Sequence, residues 1–214
     1  TATLHEDTVY VPVSSLEVTT AADPKYECCT FRGAVVALDA WTGEERWRTW
    51  TIDEAPRPVK TAPGGTRILA PSGAPVWNSP TLDAARGLLY VGSGENYSSP
   101  AEDRSDAVFA FQLADGKRAW SRQMTAGDAW NVACMMRDNP NCPVENGPDV
   151  DFASGTILVR MQSGKDALIA GQKNGVVYAL DPLRRGEVLW QQRVGRGGIQ
   201  GGVHFGMAAE GTRV

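Results

Sequence analysis

Two aspartates, Asp149 and Asp151, are separated by a single residue. In an extended segment, side chains two positions apart point to the same face, so the two carboxylates are expected to lie together and repel each other. Such repulsion raises the pKa of one carboxyl of a pair, which suits a general base. An aspartate pair directly after Gly147-Pro148 is also typical of turn chemistry, so the residues alone leave both interpretations open.

Other side chains able to bind a cofactor or a cation lie between predicted strands. Trp77 stands in a Gly/Pro-rich segment, Lys173 in a Gln-Lys-Asn-Gly turn, Glu17 after a strand, and Glu95 and Asn96 in one further turn. Most also have an ordinary interpretation: Trp77 can pack in the core, Lys173 and Glu17 can be solvated, and Asn96 can form a turn.

A repeated pattern indicates which elements position these residues. Three stretches run from an apolar strand through a glycine turn to a tryptophan, and Trp47, Trp120 and Trp190 are 73 and 70 residues apart. A repeat with one apolar face needs neighbours to cover it. The pattern predicts an all-β fold of four-stranded antiparallel blades, a β-propeller, with each tryptophan packed between blades. The second repeat differs by having Gln112 where the others have aspartate.

Apolar runs predict strands near 8–13, 33–38, 88–92, 106–111, 156–159, 167–170 and 175–180. The long segments between strands, 14–32, 53–80, 92–105 and 125–154, hold most of the candidate residues. Insertions in a repeat fold gather on one face, where binding commonly occurs. We therefore expect these residues to meet at one end of the propeller.

Composition excludes several classes of function. The chain has 214 residues, 42% of them hydrophobic, and a net charge of -4 without a basic stripe for nucleic acid. It has no apolar run long enough to span a membrane. Its two histidines, His5 and His204, have no nucleophile motif beside them, which leaves hydrolase chemistry unsupported. These features favour a small-molecule partner.

Residues 1–214 are interpreted as one partial propeller with no second domain. The chain begins with threonine, and residues 211–214 have the pattern of another strand start. Three repeats of this length cannot close a propeller, so we expect neighbouring blades outside this chain.

Four cysteines favour an oxidising, periplasmic or secreted location. Cys28 and Cys29 are adjacent, so a bond between them would be strained, and buried thiols or other pairings are alternatives. Cys134 and Cys142 are more plausible partners in a loop disulfide.

Several ordered motifs resemble the pyrroloquinoline-quinone (PQQ) dependent alcohol dehydrogenases, a family of quinoproteins. They are the repeated A-x-D-x-x-x-G-x-x-x-W turns and the segments YVGSGEN at 90–96, DVDF at 149–152 and QKNGVVYALD at 172–181. CCTFRG at 28–33 and DAWN at 128–131 are similar to one branch, the polyvinyl alcohol dehydrogenases. The resemblance covers nearly the whole chain. It implies an eight-bladed propeller, of which this chain holds about three blades, with PQQ and Ca²⁺ at the axis.

The resemblance also implies roles for individual residues. Asp151 matches the catalytic base and a metal ligand, and Trp77 matches the tryptophan on which the quinone stacks. Glu17 matches a calcium-binding glutamate. The second ligand falls on Asn96 or Glu95, and we prefer Asn96 because two glutamates and an aspartate would crowd negative charge against an anionic cofactor.

Four further residues are assigned to the cofactor by the same resemblance. Lys173 matches a cation beside the quinone oxygens, where reduction builds negative charge. Cys28, Cys29 and Arg32 lie in the segment similar to polyvinyl alcohol dehydrogenases, and the cysteine pair is a hypothetical cap on PQQ.

The implied function is oxidation of an alcohol, such as polyvinyl alcohol or another secondary alcohol. The base removes the hydroxyl proton, hydride passes to the quinone, calcium polarises the quinone carbonyl, and electrons pass to a cytochrome c. Two alternatives remain: a non-catalytic propeller of the same repeats that serves as a scaffold for other proteins, and a PQQ enzyme that oxidises sugars or small alcohols.

Overall fold

A computed structural model describes residues 1–210 and 213–214. The strand start predicted at 211–214 includes residues outside this description. The first sheet is antiparallel and contains, in spatial order, β1 (Thr3–His5), β2 (Thr8–Val13), β3 (Ala34–Asp39) and β4 (Glu45–Trp50). A short helix, α1 (Glu17–Thr20), lies in the connection from β2 to β3. A two-stranded hairpin, β5 (Arg57–Thr61) and β6 (Arg67–Ala70), follows the first sheet.

Two more four-stranded antiparallel sheets complete the described part of the chain. The second sheet contains β7 (Thr81–Asp83), β8 (Leu88–Gly92), β9 (Ala107–Gln112) and β10 (Arg118–Gln123). The third contains β11 (Ile157–Arg160), β12 (Asp166–Gly171), β13 (Val176–Asp181) and β14 (Glu187–Arg193). Short 3₁₀ turns occur at Val132–Met135 and Pro182–Arg184. The predicted all-β blades are confirmed, with each predicted strand placed to within about a residue.

Successive sheets are joined by tryptophan–glycine contacts. Trp47, in β4, packs on the turn of the second sheet, where a side-chain carbon at Gly116 would lie only 2.4 Å from its ring. Gly116 also has φ +70°, a left-handed conformation that favours glycine. Trp120 packs in the same way on Gly186, whose φ is +69°. The structural role predicted for these two tryptophans is confirmed, whereas Trp190 is 42% exposed.

The hydrophobic core lies between neighbouring sheets. One buried cluster joins the first and second sheets through residues that include Val35, Ala37, Val91 and Phe109. Another joins the second and third sheets and includes Tyr90, Trp120, Phe152, Leu168 and Tyr178. Each contact between neighbouring sheets therefore has its own buried apolar cluster, as expected for repeats that cover one another.

The long connections of the three sheets pair with one another through isolated β-bridges. Arg32 pairs with Gly73, Gly73 pairs with Asn96, and Asn96 pairs with Ala129. Residues far apart in the chain are thereby held side by side at one end of the array, where the candidate site lies. Within the described ranges, no helix has the length and apolar character needed to cross a membrane.

Candidate functional site

Three buried carboxylates converge where the connections meet. Glu95, Asp149 and Asp151 each place one oxygen within 4.8 Å of the others. All three residues are almost fully buried, with Glu95 only 3% exposed. Burying several like charges together is costly unless a cation or a proton neutralises them. The cluster therefore has the composition of a cation site.

The connection after β8 carries Glu95 into this cluster. The Glu95 backbone N–H donates a hydrogen bond to Asp151 Oδ1 at 3.1 Å, which ties the two loops together. A side-chain carbon at Gly94 would lie 2.8 Å from the same aspartate oxygen. Glycine at this position allows the close approach of the Asp151 carboxylate.

The segment that carries the aspartates is not a regular strand. Asp149 has φ +52°, in the left-handed region, so the alternation expected of an extended segment does not hold here. The backbone N–H groups of Asp149 and Val150 instead donate to the carboxylate of Asp128 at 3.1 and 2.9 Å. The two aspartates meet as predicted, but through an anchored turn.

Lys173 supplies the positive charge beside the cluster. Its Nζ lies 2.7 Å from Asp149 Oδ1 and 3.2 Å from Asp151 Oδ2, and the residue is 3% exposed. Burial alone would lower the pKa of Lys173, but the carboxylates of Asp151 and Asp149 outweigh burial and raise the pKa. Lys173 therefore remains charged.

One ammonium group does not balance three carboxylates. Burial, together with the negative charge of Asp151, raises the pKa of Glu95 well above its usual range. The same two causes raise the pKa of Asp149 to about 7, although Lys173 opposes the shift. A bound cation would relieve this excess of negative charge, since opposite charge favours the ionised form of a carboxyl.

A cavity of about 450 Å³ opens beside the cluster. Its polar wall contains Glu95, Asp149, Asp151 and Lys173, and Trp77 presents a large flat ring to the same space. Lys173 Nζ lies 5.9 Å from the centre of that ring, within the range of a cation–π contact. The structure thus brings Trp77, Lys173, Asp151 and Glu95 to one cavity.

Glu17 does not join the acidic cluster. Its carboxylate accepts hydrogen bonds from Tyr26 Oη at 2.7 Å, from Thr30 N and Oγ1 at 2.8 and 3.0 Å, and from Phe31 N at 2.7 Å. Leu16 and Val18, on either side of Glu17, are among the described residues that line the cavity, whereas Glu17 is not. Four donors hold the glutamate in the loop of residues 26–31, and metal binding by Glu17 stays a prediction.

The two turn residues, Glu95 and Asn96, lie in different surroundings, and which of them binds metal stays a prediction. The Asn96 side chain accepts a hydrogen bond from Glu102 N at 2.8 Å and donates one to Ser72 O at 3.3 Å. Asn96 is fully buried, and its backbone pairs with Gly73 and Ala129 of the neighbouring connections. Glu95 instead places a carboxylate oxygen in the acidic cluster. The sequence preference for Asn96 assumed that several acids would not lie together. Three acids do lie together here, and the positive charge of Lys173 offsets part of their negative charge.

The remaining predicted cofactor residues lie beyond the cavity lining that the structure describes. Cys28 and Cys29 are bonded to each other and buried in an apolar cluster with Tyr97, which itself lines the cavity. Arg32 donates to the carbonyls of Ile52 and Asp53, and its guanidinium lies 4.4 Å from the centre of the Trp50 ring. A cofactor role for these three residues stays a prediction.

The rim of the cavity was not identified from the sequence. It is lined by apolar and aromatic side chains, including Leu16, Tyr97, Trp130, Val132 and Met135. Leu16 is 80% exposed and Met135 is 69% exposed, so both present apolar surface to solvent. These residues could have been suspected from their position in long connections. Apolar side chains there do not belong to the buried face of a strand, so they can line a binding surface instead.

A disulfide fixes part of this rim. Cys134 is bonded to Cys142, as the sequence predicted. Asn141, inside the closed loop, donates hydrogen bonds to the carbonyls of Ala21, Asp23 and Tyr26 at 3.0 to 3.1 Å. The loop that carries Val132 and Met135 is thus attached to the connection that carries Leu16.

The arrangement can support proton removal beside a bound cation. Asp151 lines the cavity, its oxygens contact Lys173 and the Glu95 amide, and the flat ring of Trp77 stands close by. A carboxylate at a cavity wall can accept a proton from a bound hydroxyl group. Blades joined by tryptophan contacts, with an acidic and aromatic cavity at their connections, define a β-propeller domain that carries a buried acidic site.

Comparison with known proteins gives the family. Residues 11–201 match the PQQ family described as glucose/ethanol/alcohol dehydrogenase, beta-propeller domain, and the chain belongs to that family.

Two relatives are polyvinylalcohol dehydrogenases. The chain is 40% identical over 212 residues to one from Pseudomonas sp, with 99% of this chain and 33% of that protein covered. It is 40% identical over 208 residues to one from Sphingopyxis sp. (strain 113P3), with 96% and 32% covered. The chain therefore spans about one third of the length of these relatives.

Solved structures support the fold. The quinohemoprotein alcohol dehydrogenase of Comamonas testosteroni superposes with a TM-score of 0.58 at 20% identity, and the match covers 90% of this chain and 28% of that one. The sequence-based assignment to the PQQ family and to a propeller built of such blades is confirmed.

Proposed function

We propose that this chain forms part of an enzyme that oxidises an alcohol with PQQ and calcium. The observation that carries the proposal is the convergence of Asp151, Glu95, Asp149, Lys173 and Trp77 on one cavity. A protein-binding scaffold would gain nothing from burying these charges together, because their desolvation is costly. The polyvinylalcohol dehydrogenases among the relatives favour a secondary alcohol as substrate.

The donor set fits calcium. Calcium takes six to eight oxygen ligands, and the three carboxylates of Glu95, Asp149 and Asp151 offer two oxygens each. Burial and mutual repulsion, which raise the pKa values of Glu95 and Asp149, both favour the binding of a cation that neutralises the carboxylates.

The cavity fits the cofactor as well. Its volume of about 450 Å³ is within the range of cofactor sites, and Trp77 offers a flat face with Lys173 Nζ 5.9 Å from the ring centre. When bound, PQQ supplies a two-electron acceptor for hydride from the alcohol carbon, and calcium polarises the acceptor carbonyl.

Asp151 acts as the general base in this proposal. Its carboxylate takes the hydroxyl proton of the alcohol, while the Glu95 amide and Lys173 hold it in place. Lys173 would also supply positive charge to the oxygens of a bound acceptor, on which negative charge would develop. The alcohol loses one proton and one hydride, and the product is a carbonyl compound.

The rim favours an alcohol with a hydrocarbon portion. Leu16, Val132 and Met135 offer an apolar surface above the acidic floor of the cavity. A sugar, which is hydroxylated at nearly every carbon, would bury polar groups against this surface. We therefore rank a secondary alcohol on an extended carbon chain above sugars.

We also propose a cellular compartment and an electron acceptor for the enzyme. All four cysteines are paired in disulfides, which supports an oxidising compartment such as the periplasm. Relatives named quinohemoprotein alcohol dehydrogenases support a haem protein, a cytochrome c, as electron acceptor.

The test uses the full-length protein freed of ligands. Dye reduction with a long-chain secondary alcohol should require both PQQ and Ca²⁺ and should be absent with either alone. Glucose and methanol are compared in parallel, and faster turnover of either would favour the alternative substrate classes. Absence of PQQ binding and of turnover with both additions would overturn the enzyme proposal.

A further inference from the structure

The segment that begins at Asp128 lies between the two loops that carry the acidic cluster. The Asp128 carbonyl accepts a hydrogen bond from Asn96 N at 3.1 Å, and Trp130 N donates to Asn96 O at 2.8 Å. On the other side, Gly147 N donates to Ala129 O at 2.9 Å. The main chain of this segment therefore links the loop of Glu95 to the loop of the two aspartates.

The Asp128 side chain reinforces that link. Its carboxylate is fully buried, and its two oxygens accept the N–H groups of Asp149 and Val150, one oxygen for each. Hydrogen bonds to an ionised acceptor are stronger than those between neutral groups. They hold Asp149 in a left-handed conformation that few residues other than glycine adopt readily.

Gly147, shortly before the two aspartates, packs directly against Asp128. A side-chain carbon at Gly147 would lie 2.3 Å from Asp128 Oδ1 and 2.9 Å from Ala129 N. Glycine at 147 therefore allows the main chain to pass directly against the carboxylate. Two separate features therefore fit an aspartate at position 128. Two backbone N–H groups donate to its two oxygens, and Gly147 leaves room for its carboxylate.

Asp106 is a second buried acid on this side of the cluster. Within the described ranges, neither of its carboxyl oxygens has a hydrogen-bond partner, and the residue is fully buried. Burial and the negative charge of Asp128 raise the pKa of Asp106 well above its usual range. In the part of the chain that the structure describes, Asp106 therefore holds no backbone N–H of the 149–151 turn, and Asp128 is the acid whose two oxygens accept them.

We propose that Asp128 is a positioning residue that sets the cation affinity of the site by holding the 149–151 turn against Glu95. It acts through the backbone of Asp149 and Val150 and does not itself contact the cavity. The inference rests on the proposed metal site but concerns a residue outside the ligand set. Outer partners of metal ligands commonly change affinity by about 10 to 100-fold when removed.

The experiment compares Asp128→Asn with wild-type full-length protein in calorimetric titrations with Ca²⁺, without alcohol. An asparagine keeps one acceptor oxygen and turns an N–H donor toward the other backbone N–H, so we expect calcium binding to weaken by about 10 to 100-fold. Asp106→Asn changes a buried acid whose oxygens accept no N–H group of the 149–151 turn, and it should bind calcium as the wild type does.

Asp83→Asn is the matched control. Asp83 is also buried and accepts hydrogen bonds from Tyr90 Oη and Arg86, but it lies at a turn of the second sheet, away from the cavity. A general loss of stability would affect this variant as well, whereas a positioning effect should appear only in Asp128→Asn. Equal calcium affinity in the Asp128→Asn, Asp83→Asn and wild-type proteins would overturn the inference.

A second measurement does not depend on metal. Deuterium exchange of the backbone amides of Asp149 and Val150, in metal-free protein, should be faster in Asp128→Asn and unchanged in Asp83→Asn. If Asp128→Asn fails to fold, Gly147→Ala replaces it in this measurement. The added methyl group displaces the Asp128 carboxylate without removing it, so the amides of Asp149 and Val150 should again exchange faster than in the wild type. Wild-type protein that binds no calcium would overturn the metal site itself, and unchanged exchange would overturn the positioning role.

Discussion

The ammonium nitrogen of Lys173 lies 2.7 Å from Asp149 and 3.2 Å from Asp151, so one buried lysine bridges two buried carboxylates. The lysine follows β12 of the third sheet, whereas both aspartates lie in the connection that leads into that sheet. This contact fixes the position of both carboxylates before any cation binds. Its removal would leave the carboxylates with no cation within contact distance in the described part of the chain.

Lys173→Met should therefore destabilise the metal-free protein. Breaking a buried ion pair by removing one partner costs about 3 to 5 kcal/mol, because the remaining charges stay buried and uncompensated. Urea unfolding in the presence of EDTA measures this loss, and added Ca²⁺ should restore part of it. Lys117→Met, which removes an exposed pair with Asp115, should change stability little. An unfolding midpoint equal to that of wild type in Lys173→Met would contradict the proposed role.

Asp151→Asn should abolish turnover and leave the cofactor bound. Loss of a positioned general base lowers rates by about 10² to 10⁴-fold, while the Trp77 face and the cavity walls are unchanged. Steady-state dye reduction measures the rate, and the absorbance of bound PQQ measures occupancy. The exposed Asp115→Asn serves as a control, and turnover near the wild-type rate in Asp151→Asn would remove this residue as the base.

The stability of the metal-free protein should fall as pH rises from about 4 to beyond 7. Asp149 has a pKa of about 7 in the folded state, whereas an unfolded aspartate titrates near 4. The folded state keeps a proton that the unfolded state releases, so the stabilisation is complete at low pH and is lost as pH rises through the folded pKa. Urea unfolding in EDTA across this range measures the trend.

Asp149→Asn should make that pH dependence shallower, because the titrating carboxyl is gone. Saturating Ca²⁺ should reverse the slope in the wild type, since a cation binds the ionised carboxylates and stabilises the folded state. A slope in the variant as steep as in the wild type would show that other groups cause it.

The apolar rim should determine which alcohols react. Met135→Ser removes apolar surface from the cavity mouth and should lower kcat/KM for a long-chain secondary alcohol by about 10-fold, with little effect on methanol, which is too small to reach the rim. Val144→Ser is the matched control, because Val144 is exposed near the same disulfide loop but does not line the cavity. A parallel fall for both alcohols would indicate a general defect.

The fold could be predicted because each repeat carries its own local signals. Glycine turns such as Gly116 and Gly186 need left-handed backbone, and the tryptophans at 47 and 120 cover them, so short segments of sequence specify both the turn and the contact between sheets. The strands followed from their apolar runs for the same reason.

The site was harder to predict, because it depends on which side chain of a connection turns inward. Glu17 and Glu95 are both glutamates after a strand, yet donors at 26, 30 and 31 hold Glu17 in its own loop, while the bridge between Asn96 and Ala129 leaves Glu95 facing Asp151. Those donors are distant in sequence, so local patterns do not reveal them.

The contact between sheets gives the last prediction. Trp47 donates from Nε1 to Leu113 O at 3.0 Å, and its ring fills the space above Gly116, so Trp47→Ala removes a hydrogen bond and opens a cavity between two sheets. We expect a loss of about 3 kcal/mol in the free energy of unfolding, measured by urea denaturation. Trp41→Ala is the control, since that ring is largely exposed and its truncation should cost much less. Because neighbouring blades stabilise one another through contacts between sheets, Trp47→Ala should also expose the first sheet to proteolysis before the second and third. Uniform cleavage of all three sheets would instead show that they unfold as one unit.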